Sequence, residues 1–218
     1  RGGGGHHGRG GIGPVDDQLD VCDAGAVHSA VTACRPEFFF HLAAIAYVPD
    51  AEGDADRVRR VNVDGTKNLL NAAAEVGSRV LYVSSGAVYG DGAGSSPPFR
   101  EDSPLAPRGV YAQTKVDAEA ECLSRSGRQA IVRMRPFNHT GPGQAPRYVC
   151  SGFAKQVVEA ELGLRDPVIE VGDLDAQRDF CDVRDIVRAY LLAFARGPAR
   201  SVSAAVRLIA RFNALRLP

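Results

Sequence analysis

Arg79-Val80-Leu81-Tyr82-Val83-Ser84-Ser85-Gly86-Ala87-Val88-Tyr89-Gly90 is the stretch that decides the fold. Its first half, Arg79 to Ser84, is a short apolar run without polar alternation, as expected for a strand covered on both faces of a parallel sheet. Phe38 to Leu42 upstream and Gln129 to Met134 downstream repeat that pattern. Between the first two runs, Asp54 to Val76 carries Val58, Val61, Leu69, Ala72, Ala73 and Val76 at helical spacing, with Gly77 in place as a C-cap. Between the second and third, Val110 to Ser126 reads as a helix ending before Gly127. Further on, Tyr148 to Gly163 and Val183 to Arg196 read as helices, and Val168 to Val171 as a short strand. Strands alternating with helices imply crossover connections and a doubly wound, parallel α/β sheet.

The two ends have a different character. Residues 1–14 form a Gly-rich tail, expected to be disordered. Its Gly5, Gly8 and Gly11 have a phosphate-loop spacing, but lack the preceding apolar strand that such a loop requires. Residues 15–196 read as one α/β domain. Residues 197–218 contain Arg200, Arg207, Arg211 and Arg216 and no acid, and read as a basic helix or tail, with Ala204 to Leu215 able to form one amphipathic helix.

Lys+Arg and Asp+Glu are balanced at 26 each among 218 residues, which argues against nucleic acid or an anionic membrane surface as the main partner. The five cysteines are irregularly spaced with no CxxC, so reduced thiols are expected rather than a disulfide framework or a metal site. The apolar run from Phe38 to Val48 stops at Pro49, too short to cross a bilayer. A soluble cytoplasmic protein is expected.

Lys occurs only at 67, 115 and 155. Lys115 follows Tyr111 by four residues, so on a helix the two share a face. A phenol with a pKa near 10 is a poor proton carrier at neutral pH, and a nearby ammonium is expected to lower that value. Such a tyrosine can exchange a proton with a carbonyl or alcohol oxygen while hydride moves at the adjacent carbon. Ser85, leaving a strand's carboxyl end, is placed to hydrogen-bond the same oxygen.

Taken with LDVCD (19–23), RPEFFFHLAA (35–44), RVNVDGTKNLL (60–70), RPFNHTGPGQ (135–144) and QRDFCDVRDIVRAY (177–190), these segments resemble the extended short-chain dehydrogenase/reductases of the NAD-dependent epimerase/dehydratase family. Within it the wording is most similar to reductases of GDP-4-keto-6-deoxy-mannose. The resemblance implies a Rossmann-like fold, NADP or NAD as cofactor, a nucleotide-sugar substrate with GDP favoured, and a homodimer built on the 54–76 and 110–126 helices. Ser85, Tyr111 and Lys115 would be catalytic. Asp20, Val21, Leu42, Ala43, Ala44 and Pro136, with Tyr111 and Lys115, would bind the cofactor. Ser85, Asn138, Arg147 and Arg178 would bind substrate, the arginines because a planar guanidinium pairs with phosphate oxygens.

Plainer roles compete for several of these residues. Asp20 and Asp23 suit a turn or a helix cap, and Ala43-Ala44 suits tight packing. Asn62 suits a structural hydrogen bond rather than a proton relay, His139 a loop or core position, and Tyr89 packing beneath the serine loop. Arg178 could join an ion-pair network with Asp179, Asp182 and Asp185. The implied 4,6-dehydratases carry acids directly after the catalytic hydroxyl residue, where this chain has Gly86 and Ala87; reductase relatives often have Glu where Ala87 stands. Reduction is therefore the expected reaction, with 4,6-dehydration of GDP-mannose, 4-epimerisation, or an inactive fragment binding a nucleotide sugar or a partner subunit as alternatives. The family's opening strand-helix-strand unit and most of its small substrate lobe are expected to be missing, with cofactor affinity impaired as a result.

Overall fold

The computed structural model describes residues 19–90, 98–172, 178–196 and 202–203. In chain order these form α1 (Ala24–Cys34), β1 (Phe38–His41), α2 (Val48–Gly53), α3 (Ala55–Arg59), a π-helical turn (Arg60–Asp64), α4 (Gly65–Val76) and β2 (Arg79–Val83). A 3-10 turn (Gly86–Tyr89), α5 (Gly109–Ser124), β3 (Ile131–Met134), β4 (Asn138–Thr140), α6 (Val149–Glu161), β5 (Phe180–Asp182), α7 (Val183–Arg196) and β6 (Val202–Ser203) follow. Four strands lie in the order β1-β2-β3-β6, every pairing parallel. β4 and β5 form a separate parallel pair in which Asn138 faces Phe180.

Strand periodicity distributes the side chains of β2 to opposite faces. Val80 and Tyr82 pack with Leu70 and Ala73 of α4, Ala118 and Cys122 of α5, and Ile131. Leu81 joins Val132 and Met134 against Ile186, Ala189, Tyr190, Ala193 and Phe194 of α7. Helices thus cover both faces, which is why these strands read as continuous apolar runs; each large aliphatic side chain buried here stabilises the domain by roughly 2 kcal/mol. α1 packs on α4 through Val27, Val31, Leu69 and Ala72.

The helix ends follow local chemistry. Asp23 caps α1 by accepting from Ala26 N at 2.9 Å, Asp54 caps α3 through Arg57 N at 2.9 Å, and Gly77 closes α4 in the left-handed region. The expected helix over 54–76 is one helical stretch interrupted by the π turn.

Two expectations are corrected. Val168–Val171 is not a strand: Gln156 of α6 takes up the backbone of Glu170, accepting from its N–H at 2.7 Å and donating to its carbonyl at 3.2 Å, in place of a ladder. Within 197–218, Val202–Ser203 is a strand rather than helix or tail, because it finds an open edge on β3. The Gly5–Gly11 spacing and Ala204–Leu215 lie outside the described residues. Among the described residues no helix is long and apolar enough to cross a membrane, and no cluster of His, Cys, Asp and Glu could hold a metal ion.

Candidate active site

β1, β2 and β3 run parallel, so their carboxyl ends emerge together, as expected for an open α/β ligand site. Leu42, Ala43 and Ala44 follow β1, Ser84 and Ser85 follow β2, and Arg135 and Pro136 follow β3. Main-chain bonds fix this edge: Ser84 N donates to Met134 O at 2.7 Å and Gly86 N to Pro136 O at 2.8 Å. Gly86 is needed there because a Cβ would come within 2.8 Å of the Phe137 ring. Gly90, which ends the turn at φ +53, is needed because a Cβ would run into the Ala106 carbonyl.

Ser85 opens the 3-10 turn, its Oγ accepting from Ala87 N at 3.1 Å, and its hydroxyl is near enough to the Tyr111 phenol to lower that group's proton affinity. Tyr111 stands in the first turn of α5, and Lys115 follows one turn later, buried. Lys115 Nζ lies 5.9 Å from the Tyr111 ring centroid and 5.2 Å from that of Tyr82, and donates to Val83 O at 2.8 Å. The fold thus brings together Ser85, Tyr111 and Lys115.

The electrostatics differ from the expectation for the pair. Burial raises the Tyr111 pKa above its usual value; the nearby Ser85 hydroxyl opposes that rise and the neighbouring Tyr148 adds to it. Burial also lowers the Lys115 pKa to about 8, against the pull of Cys122 and Glu119. In this state desolvation dominates, and the phenol holds its proton more firmly than in water.

Around this centre the sequence-derived candidates separate. Ala43 and Ala44 are half-buried, whereas Leu42 is 62% exposed. Pro136 is buried and tied to the serine turn. Val21 is half-buried, its carbonyl accepting from Asn68 Nδ2 at 3.0 Å beside the start of α4. Asp20 is an exposed turn residue that accepts from Cys22 N at 2.8 Å. Asn138 is exposed at the start of β4; Arg178 is exposed two residues before Phe180, the partner of Asn138, so both lie along the β4–β5 pair. Nearby, Asp182 accepts from Arg184 at 2.5 and 2.9 Å, and Asp185 from Arg188 at 3.5 Å. Arg147 is half-exposed, pairs with Asp50 at 3.3 Å and stacks over Tyr47 and Tyr148 at 4.8 and 5.5 Å. His139 sits in β4 with Nδ1 3.0 Å from Phe137 O.

Asn62 projects inward from the π turn. It accepts from Ile45 N at 2.8 Å, and donates to Ile45 O and to Thr114 Oγ1, both at 3.1 Å, while Thr114 Oγ1 donates to Tyr111 O at 2.9 Å. It ties the segment after β1 to the first turn of α5, a structural role. Thr66 Oγ1 donates to Asn62 O at 2.7 Å, so the single hydroxyl hydrogen is used; its 2.8 Å contact with His41 must then be a donation from His41 Nε2. Buried and facing the Lys115 charge, His41 has its pKa lowered to about 3 and stays neutral.

Sequence reasoning missed three contributors. Glu52 accepts from Val110 N at 2.8 Å, capping α5 next to Tyr111. Tyr148 faces Tyr111 from the start of α6. Glu119 is buried against Arg133 and Arg135. A signal was present for the last: the four-residue step from Tyr111 to Lys115 continues to Glu119, and two arginines interrupt an otherwise apolar strand region.

The residues at this edge fit the nicotinamide end of a dinucleotide. Ser84 Oγ is buried with no hydrogen-bond partner among the described residues, and two of the three Lys115 donors are uncommitted among them.

Comparison with known proteins adds an independent line. Residues 14–205 match the model of the "NAD dependent epimerase/dehydratase family". The chain is 41% identical to GDP-6-deoxy-D-mannose reductase of Pseudomonas aeruginosa over 172 residues, covering 77% of this chain and 56% of that protein. It is 33% identical to methionine adenosyltransferase 2 subunit beta of Pongo abelii over 121 residues, covering 56% of this chain and 35% of that protein. The solved structure of RMD from Pseudomonas aeruginosa complexed with NADPH superposes with a TM-score of 0.79 at 35% identity, covering 88% of this chain and 66% of that one. The chain thus spans between about a third and two thirds of the length of these relatives.

Proposed function

The chain belongs to the NAD-dependent epimerase/dehydratase family, and on that premise we propose that it is a nucleotide-sugar oxidoreductase that reduces the 4-keto group of a GDP-4-keto-6-deoxy sugar. The observation that carries this reading is the convergence of three side chains at the carboxyl end of β2: Ser85 at the start of its turn, half-buried Tyr111, and buried Lys115 with Nζ 5.9 Å from the Tyr111 ring centroid. NADP or NAD in its reduced form, NADPH or NADH, bound along the carboxyl ends of β1, β2 and β3, would supply the hydride. Ala43 and Ala44 leave room for it, Pro136 bounds the ring pocket, and Lys115 offers its two free donors to the ribose; Asp20, Val21 and Leu42 are assigned to its adenosine side.

Ser85 orients the keto oxygen, and Tyr111 donates its phenolic proton to that oxygen as charge develops there. A proton donor must hold its proton at neutral pH, so the raised Tyr111 pKa suits the reductive direction. Once the proton has left, Lys115, whose pKa of about 8 keeps most of it charged at pH 7, stabilises the phenolate across a short, poorly solvated gap. Asn138, Arg178 and Arg147 are assigned to the diphosphate and nucleotide, Arg147 requiring release from Asp50 to do so. Gly86 and Ala87 offer no acid or base for removing water from the sugar, which favours reduction over 4,6-dehydration.

The test is NADPH and NADH oxidation by the full chain with a GDP-4-keto-6-deoxy sugar, beside Tyr111→Phe. Turnover that Tyr111→Phe abolishes, with nucleotide-sugar binding kept, supports the reading; undiminished turnover in that variant overturns it.

A second reading is a binding subunit without turnover. It draws on the likeness over 121 residues to a protein named as a subunit of another enzyme. GDP binding by calorimetry without any dinucleotide binding would favour it.

A further inference from the structure

Three charged side chains are buried beside the candidate site without entering the chemistry just described: Glu119 at 1% exposure, Arg133 at 7% and Arg135 at 4%. Burying ions is expensive and stabilises little unless every group is paired, so a buried cluster next to reacting groups calls for an explanation beyond stability. We propose that Glu119 is a positioning residue: through Arg135 it sets the separation between the Ser85 turn and the helix that carries Tyr111 and Lys115. The inference rests on the assignment of those three residues as the reacting set.

The geometry carries it. Tyr111, Lys115 and Glu119 stand at successive turns of α5, so the carboxylate is rigidly linked to the phenol and the ammonium. Arg135 grips that carboxylate with both faces of its fork, Nε to Oε1 at 2.8 Å and an Nη to Oε2 at 2.6 Å. Its other Nη donates to Tyr89 Oη at 2.8 Å and to Glu101 O at 3.1 Å. Tyr89 ends the turn that Ser85 begins, and its ring stacks on Phe99 at 5.0 Å and Phe137 at 6.3 Å, the latter pressed on Gly86. One carboxylate on the tyrosine helix therefore holds a guanidinium that itself holds the serine turn. A planar, bidentate pair resists sliding in a way that an apolar contact does not. Arg133, 3.4 Å from Oε2, adds charge balance rather than orientation.

The readout is the phenol itself, because the Ser85 hydroxyl held beside it lowers its proton affinity and moving the serine turn away would raise it. Groups facing Tyr111 are Ser85 from the end of β2, Tyr82 from β2, Lys115 from its own helix, Tyr148 from α6 and Tyr190 from α7. Tyr89 is not among them, so the effect of Tyr89→Phe must travel through position; Glu119 also raises the proton affinity of Lys115, so Glu119→Gln mixes charge with position and Tyr89→Phe is the variant that isolates position.

The experiment uses the full chain with ¹³C-labelled tyrosine, titrated by NMR, for wild type, Tyr89→Phe and Glu119→Gln. Tyr89→Phe keeps the ring stack and removes the hydroxyl that Arg135 binds. The expected result is a rise of half a pH unit or more in the Tyr111 midpoint in both variants, and, where wild type turns over, a tenfold or larger fall in kcat with KM within twofold. An unchanged Tyr111 midpoint in Tyr89→Phe overturns the proposal, and that variant decides alone if Glu119→Gln does not fold. If wild type shows no turnover while the midpoint still moves, the reductase reading fails and the positioning role stands.

Discussion

Replacing His41 with Gln should flatten the acid side of this protein's stability curve. In the folded chain His41 Nε2 donates to Thr66, and the buried ring keeps its pKa near 3 under the combined effect of desolvation and the Lys115 charge. In the unfolded chain the ring titrates near its ordinary 6.5. Between these values the unfolded state binds more protons, so stability present above about pH 6.5 is lost as pH falls toward 3. At pH 5 the unfolded ring has gained roughly 1.5 pH units of protonation free energy and the folded ring almost none, which at ~1.36 kcal/mol per unit is about 2 kcal/mol. Gln preserves a donor at the Nε2 position and cannot titrate. Urea unfolding followed by circular dichroism at pH 8 and pH 5 would therefore find wild type losing about 2 kcal/mol more than His41→Gln, a midpoint change of roughly 1 M for a slope near 2 kcal/mol/M. Contributions from the exposed His28–Glu75 pair cancel in the difference. Equal pH dependence in the two proteins would refute the argument, since it would mean that His41 protonates in place.

Two further outcomes follow from the same packing. Lys115→Met should stabilise the chain at pH 7 while, on the proposed function, eliminating turnover: the fall from 10.5 to about 8 corresponds to ~3 kcal/mol of burial penalty, of which about 2 kcal/mol is offset by losing the bond to Val83 O, leaving ~1 kcal/mol in thermal or urea unfolding. A destabilised Lys115→Met would count against a strained lysine. Gly90→Ala should cost more than about 2 kcal/mol, because the residue sits at φ +53, ψ −129 with the Ala106 carbonyl in the way, and a melting temperature within a degree or two of wild type would contradict that geometry.

Much of the sheet was legible because a strand covered on both faces carries an uninterrupted apolar signal. Arg79–Val83 and Ile131–Met134 have helices on each side, and Val183–Arg196 shows the matching helical stripe. Val168–Val171 carries the same composition but lacks a strand partner; the sequence has no way of announcing that the Gln156 side chain takes its place. β4, β5 and β6 are only two or three residues long, and so short a run has no periodicity to read. In the site, the Tyr111–Lys115 step was visible because both residues lie on one helix. Glu52, Tyr148 and Asn62 reach the same place from other elements, and nothing local links their sequence positions to Tyr111.

The same reasoning explains why the electrostatic expectation for Tyr111 reversed. A cation one turn away lowers a phenol's pKa when solvent does not already stabilise either charge, yet burying the pair penalises the phenolate and the ammonium together. The fold responds by giving Lys115 a carbonyl from β2 and leaving the phenol neutral beside Ser85. A buried pair in that state stores an electrostatic attraction that appears only when the phenol gives up its proton. Stabilisation present after proton transfer and absent before it lowers a barrier rather than tightening binding. The arrangement that makes Lys115 a burden on stability is then the one that would make it useful to Tyr111 in the proposed role of proton donor, and both consequences should disappear together when its charge is removed.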